Sequence, residues 1–114
     1  MSIALADGSP EAESRGTRAN FRWRLLEPWD ERRLAAFLMT KHRRAESDWT
    51  RRPSPFVASL GQVYIECSVP VTNENALPEL EAILTRELRG IIAGAARVYE
   101  EMIGTGDWRR VAPP

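Results

Sequence analysis

The sequence has almost none of the residues that build metal centres and disulfides. It contains one histidine, His42, and one cysteine, Cys67. A single cysteine closes no internal disulfide, which points to a reducing, cytoplasmic setting. One His and one Cys make no zinc site of the Cys/His type within a chain. No stretch matches GxGxxG, a glycine-rich loop ending in GK[ST], or HExxH. Neither a cofactor, a metal nor a small-molecule substrate is therefore indicated. Long apolar runs are missing too. "LAAFLM" and "IIAGAA" are the longest, far below the roughly 20 residues that span a bilayer, so no membrane contact is expected. "MSIALADGSPEAESRG" has neither the basic nor the apolar region of a signal peptide.

Net charge is absent as well, with sixteen basic residues against sixteen acidic. Nothing pulls the whole chain toward nucleic acid or an anionic surface. Locally the balance breaks. Eleven basic and five acidic residues lie between Arg15 and Arg52, against three and seven between Glu66 and Glu101. Lysine is nearly missing, with only Lys41 among the basic residues. Such an arginine bias accompanies GC-rich coding sequence and is not read as chemistry.

What remains is the composition of one small globular domain: 114 residues, 43% apolar and 28% charged. Residues 1–19 are rich in Gly, Ser, Pro, Ala and Glu and are expected to be a disordered tail. Residues 20–104 form the domain, and 105–114 a flexible C-terminal tail. In "NFRWRLL" Phe21, Trp23 and Leu25 alternate with Arg22 and Arg24, the pattern of a half-buried strand. "EPWDERRLAAFLMTKHRRA" follows as a helix, with Pro28 in its first position and Leu34, Phe37, Leu38 and the Lys41 stem along one side. "FVASLGQVYIECSVPV" reads as a hairpin turning at Gly61-Gln62, with glycine first as a type II′ turn requires. Val63, Ile65, Cys67, Val69 and Val71 face one way in its second arm. Pro70 puts that arm at a sheet edge or ends it there. "TNENALPELEAILTRELRGIIAGAARVYEEMIG" is a long helix capped by Asn75 or Leu77 and ended by Gly104. The order is βαββα. The expected fold is an α+β two-layer sandwich with a three-stranded, mainly antiparallel sheet.

The long helix carries Gly90 and Gly94, each costing about 1 kcal/mol relative to alanine in a helix interior. Its apolar stripe includes Leu84, Leu88, Ile91, Ala95, Val98 and Met102. A helix over residues 78–103 would be about 39 Å long, against a radius of gyration of about 13 Å for a 100-residue domain. Two explanations of the glycines stay open. They fit against the chain's own first helix or sheet, or they admit a second copy or another protein. The overhang favours a contact surface at Gly90, Gly94, Ile91, Ala95, Val98 and Met102.

Few residues suggest catalysis. His42 at a helix C-terminus reads as a charge-compatible end residue, and Cys67 as a small buried hydrophobe. Glu100 with Glu101, and Glu46 with Asp48, read as solvated surface. Trp49, Arg51, Arg52 and Trp108 combine the residue types that dominate interface hot spots. The expected function is a small non-catalytic accessory or regulatory protein that binds a protein partner or a second copy. The alternative is a nucleic-acid module. It would use Lys41, Arg43, Arg44, Trp49, Arg51 and Arg52, with Arg22 and Arg24 extending the patch.

Overall fold

Residues Arg15 and Arg18 face each other across a two-residue turn, and from this hairpin the sheet is built. Gly16 takes the first central position with φ +58°, the left-handed conformation that such turns require. The structure, a computed structural model, describes residues 3–47 and 54–105. Its elements run β1 (Glu11–Arg15), β2 (Arg18–Arg24), α1 (Glu31–Ser47), β3 (Phe56–Val57), β4 (Tyr64–Pro70), a 3-10 turn (Glu74–Ala76) and α2 (Leu77–Thr105). The strands form one antiparallel sheet in the order β1-β2-β4-β3. The architecture is α+β, with four strands rather than three.

The added strand lies inside the segment expected to be a disordered tail. β1 lacks a run of large apolar side chains, so alternation could not reveal it; backbone pairing with β2 defines it. Five residues, 6–10, then stand opposite only two of β2, and the chain rejoins the same edge. Ala6 donates to the Arg24 carbonyl (2.8 Å), and Leu26 to that of Ala4 (3.3 Å). Ile3 is buried in the core. At the other terminus α2 includes Gly104 and Thr105, so Gly104 does not end it. The remainder of the expected C-terminal tail lies outside the described residues.

Along β2 and β4 the expected alternation holds. Trp23 faces Ile65, and Phe21 faces Cys67, which in turn faces Phe56. All five residues are buried. Trp23 packs on Phe21 and Phe56 with ring centroids 5.9 and 5.6 Å apart. Its indole Nε1 donates to Thr85 Oγ1 at 3.0 Å, tying the sheet to α2. β4 is central, not an edge, and it ends at Pro70. The turn before β4 also differs from expectation. Gln62 donates to the Ser59 carbonyl, so Gly61 occupies the third position of the turn, with φ +77°.

Asp30, rather than Pro28, sets the start of α1. Its Oδ1 accepts from the Arg33 amide at 2.9 Å, satisfying one otherwise orphaned donor, and its carbonyl accepts the first intrahelical bond, from Leu34. Trp29 is thereby outside the helix and buried, 5.1 Å from the Phe37 ring. The buried side of α1 is Arg33, Ala36, Phe37, Met39 and Thr40, while Leu38 is exposed. At the start of α2, Asn73 caps the 3-10 turn through its side chain, and α2 follows directly with Pro78 in its first turn.

α2 has 29 residues, about 43 Å, in a molecule of 47 × 32 × 19 Å. The thin dimension is that of one sheet plus one helix layer. The long helix does not overhang with an open apolar face. Leu84, Leu88, Ile91, Ala95, Val98 and Met102 are all buried by this chain. The sheet meets α2 near Thr85, and α1 runs antiparallel to its later half: Arg44 lies at Gly90, Thr40 at Gly94, and Arg33 at Tyr99.

A candidate binding groove between the helices

The two glycines let α1 approach α2. A Cβ on Gly94 would lie 2.8 Å from Thr40 Cγ2, and one on Gly90 would lie 3.3 Å from an Arg44 guanidinium nitrogen. Thr40 donates its hydroxyl to the Ala36 carbonyl at 2.8 Å, which fixes its methyl against Gly94. Of the two explanations left open by the sequence, the chain's own first helix is the one observed. Ile91, Ala95 and Met102 are 0–1% exposed and Val98 is 8% exposed. Ile91, Ala95 and Met102 belong to the core and offer no face to a partner, whereas Val98, though buried, borders the groove between the helices.

On the solvent side the same close seam leaves a groove of about 380 Å³. Gly90, Gly94, Thr40 and Val98 line it, and the space a Cβ would take on the two glycines is filled by the Arg44 guanidinium and the Thr40 methyl. Arg43 and Arg44 from α1 and Arg97 from α2 supply its positive charge, and Glu101 its one carboxylate. Arg43 and Arg97 make no hydrogen bond or ion pair among the described residues. Guanidinium groups held this way suit carboxylates or phosphates, which they bind in a bidentate fashion. Arg97 was not legible as a site residue from the basic stretch around Lys41. Its signal is positional: it lies three residues after Gly94, on the same side of the helix.

Several expected site residues do not join the groove. Lys41 turns toward the sheet, where Nζ donates to the Phe56 carbonyl at 2.9 Å and pins the two-residue β3. Burial lowers its pKa. Arg22 lies on the opposite face of the sheet, 4.2 Å over the Tyr64 ring and 3.2 Å from Glu66. It also reaches Glu11 at 3.9 Å. Arg24 sits in the same alternation on that outer face. Neither extends the helix-side patch. Trp49, Arg51, Arg52 and Trp108 lie outside the described residues, as does Asp48. His42 is exposed on α1 but does not line the groove.

The groove lining contains no nucleophile with a base beside it. Thr40 is its only hydroxyl, and that group is committed to Ala36. Among the described residues, no group of three or more His, Cys, Asp or Glu is placed to hold a metal ion. No described helix is long and apolar enough to cross a membrane. Two other recesses are of similar size. In the one over β2 and β4, Arg22 and Glu66 already pair. The one beside residues 8–10 sets Arg86 and Arg89 against Glu81.

Cys67 is buried and free. Burial pushes its thiol up to about 11, with Glu87 adding to the rise and Arg18 opposing it. The thiol form therefore dominates at ordinary pH, and the nucleophilic thiolate is withheld. At pH 8 the native protein is expected to react with a thiol reagent only as fast as it opens. Rapid stoichiometric labelling before denaturant is added would contradict this burial.

No family model, curated protein or solved structure matches the chain.

Proposed function

We propose that this chain is a non-catalytic accessory protein that acts by binding another protein, and that its contact surface is the arginine-lined groove between α1 and α2. The observation that carries this reading is the pair Arg43 and Arg97. They come from different helices, flank one trough, and have no partner among the described residues. Unpaired charges on opposite walls of a concave surface are what an interface uses for register and specificity. An apolar dimer seam along α2 is not part of the proposal, because that stripe is inside the molecule. The exposed large apolar side chains are dispersed. Leu26 and Leu60 lie in loops, Leu38 on α1 and Val57 on β3. Ile83 and Ile103 are twenty residues apart on α2, about 30 Å along its axis.

The test is affinity capture from native extract with the wild-type chain and with the double variant R43E/R97E. A specific protein should be retained by the first and lost by the second, with the melting temperature unchanged. Retention of the same protein by both would remove the groove from the proposal. The second reading, nucleic-acid binding, is favoured by the same guanidinium cluster. It would show as retained nucleic acid and a steep loss of affinity between about 50 and 200 mM salt.

A further inference from the structure

β1 is the end strand of the order β1-β2-β4-β3, so one of its sides has no neighbour in the sheet. Next to a two-residue turn, Arg15 and Arg18 form a pair that exchanges backbone hydrogen bonds. By alternation so do Glu13 with Asn20 and Glu11 with Arg22. The Arg24 carbonyl, two residues further along, accepts from Ala6 on the same edge and agrees with this alternation. Ala12 and Ser14 therefore turn their N–H and C=O groups outward, where they meet no partner among the described residues. Such a row is a template for another strand. We infer that a second copy of this chain adds its own β1 there, antiparallel and centred on Ser14, so that two four-stranded sheets join into one of eight strands.

Charge selects the occupant and the register. With a two-fold axis at Ser14, Glu13 of each copy stands directly opposite Arg15 of the other, so the edge is complementary to itself. These facing pairs lie between the hydrogen-bonded ones, where opposed Cα atoms are about 4.5 Å apart and side chains meet most closely. Within one copy the two groups already touch, with Arg15 Nε 2.8 Å from Glu13 Oε1 and both side chains exposed. Pairing would gather four such groups into one alternating cluster. Arg15 also faces Arg18 in its own hairpin, a like-charge pair that the second copy's Glu13 offsets. A register centred on Glu13 instead sets Glu13 against Glu13, and it brings Pro10, which has no N–H, opposite the second copy's Gly16. Centred on Ser14, the second copy turns away at Gly16 and Thr17, opposite Ala12 and Glu11. It does so before reaching residues 6–10, which lie outside the β1–β2 register. Five residues a side is short beside the roughly 20–30 of a stable interface, so the dimer is weak and its population rises with concentration. None of the residues lining the helix groove takes part.

The experiment is sedimentation equilibrium of the full chain from about 10 μM to 1 mM. Wild type should shift from monomer toward dimer across this range. Glu13→Arg sets arginine against the second copy's Arg15 and should raise the dimer dissociation constant by about tenfold or more. Arg15→Glu should do the same. The charge swap E13R/R15E restores opposite pairs and should associate like wild type. Glu13→Arg mixed with Arg15→Glu should form a mixed dimer tighter than either variant alone. Ser14→Pro removes the outward N–H while leaving the ladder to β2 intact, so it should abolish the dimer with little change in melting temperature. Wild type that stays monomeric at about 1 mM would overturn the inference. So would a dimer indifferent to Glu13→Arg or to a folded Ser14→Pro, since its contact would lie elsewhere. If E13R/R15E associates as poorly as the single variants, the register centred on Ser14 falls. If wild type is monomeric but a protein it captures is lost on Ser14→Pro, the edge belongs to a different chain and the second copy falls.

Discussion

Gly94→Leu is expected to destabilise the protein by about 3 kcal/mol or more, at or beyond the upper end of core overpacking. In a domain of this size that lowers the melting temperature by about 10–20 °C. The cause is the 2.8 Å separation between a Cβ at position 94 and Thr40 Cγ2. Thr40 cannot swing its methyl away without giving up the hydroxyl bond to Ala36, so the helices must part. Gly90 supplies the control. The atoms its Cβ would meet are the far end of Arg44, at 3.3–3.5 Å, and a long side chain yields readily. Gly90→Ala should therefore stabilise by about 0.5–1 kcal/mol through helix propensity alone. Two glycines one turn apart are thus expected to respond with opposite sign, measurable as two melting curves. If Gly94→Leu melts like wild type, the close helix seam described above is wrong.

Asp30→Ala is expected to cost about 3–5 kcal/mol, the range for stripping one partner from a buried charge. The Arg33 side chain is 6% exposed, and its Nη1 lies 2.7 Å from Asp30 Oδ2, the only carboxylate it pairs with among the described residues. Its remaining nitrogens, Nε and Nη2, are buried without hydrogen-bond partners. The guanidinium is also 4.9 Å from the Tyr99 ring centroid. Removing Asp30 leaves this cation uncompensated and also removes the α1 cap, itself worth about 0.5–2 kcal/mol. Arg33→Met should be neutral or stabilising, because it deletes two unsatisfied donors along with the charge. The double variant D30A/R33M should then lose only the cap. Urea denaturation of the three variants resolves the terms. An Asp30→Ala cost of about 1 kcal/mol would mean that Asp30 acts as a cap alone.

The parts of the fold that declared themselves in the sequence were those where one face is buried and the other wet. β2 and β4 show this in Phe21 and Trp23, continued by Leu25 just after β2, and in Ile65 and Cys67. β1 did not, because Glu11–Arg15 is held by its backbone and presents no apolar alternation. The buried side of α1 was misjudged for a related reason. A pattern reading discounts arginine as core, yet Arg33 is inside and Leu38 outside. Gly90 and Gly94 announced a close contact but not its owner, since any backbone satisfies a missing Cβ. Their owner depended on the packing direction of α1, which is a tertiary property. The groove was partly legible: Arg43 and Arg44 stood out as a basic run. Arg97 is isolated in sequence and joins them only once the helices are laid antiparallel.

The tie from Trp23 to Thr85 joins residues 62 positions apart, and this has a kinetic corollary. During synthesis, at about 5–20 residues per second, the apolar side of β2 emerges seconds before the helix that will cover it. β4, its central neighbour, is also still to come. Such distant pairings pay their loop-closure entropy before any contact rewards them. Phe21, Trp23 and Leu25 thus stay in water until most of the chain is made, which marks the nascent polypeptide, not the finished molecule, as the form most exposed to aggregation.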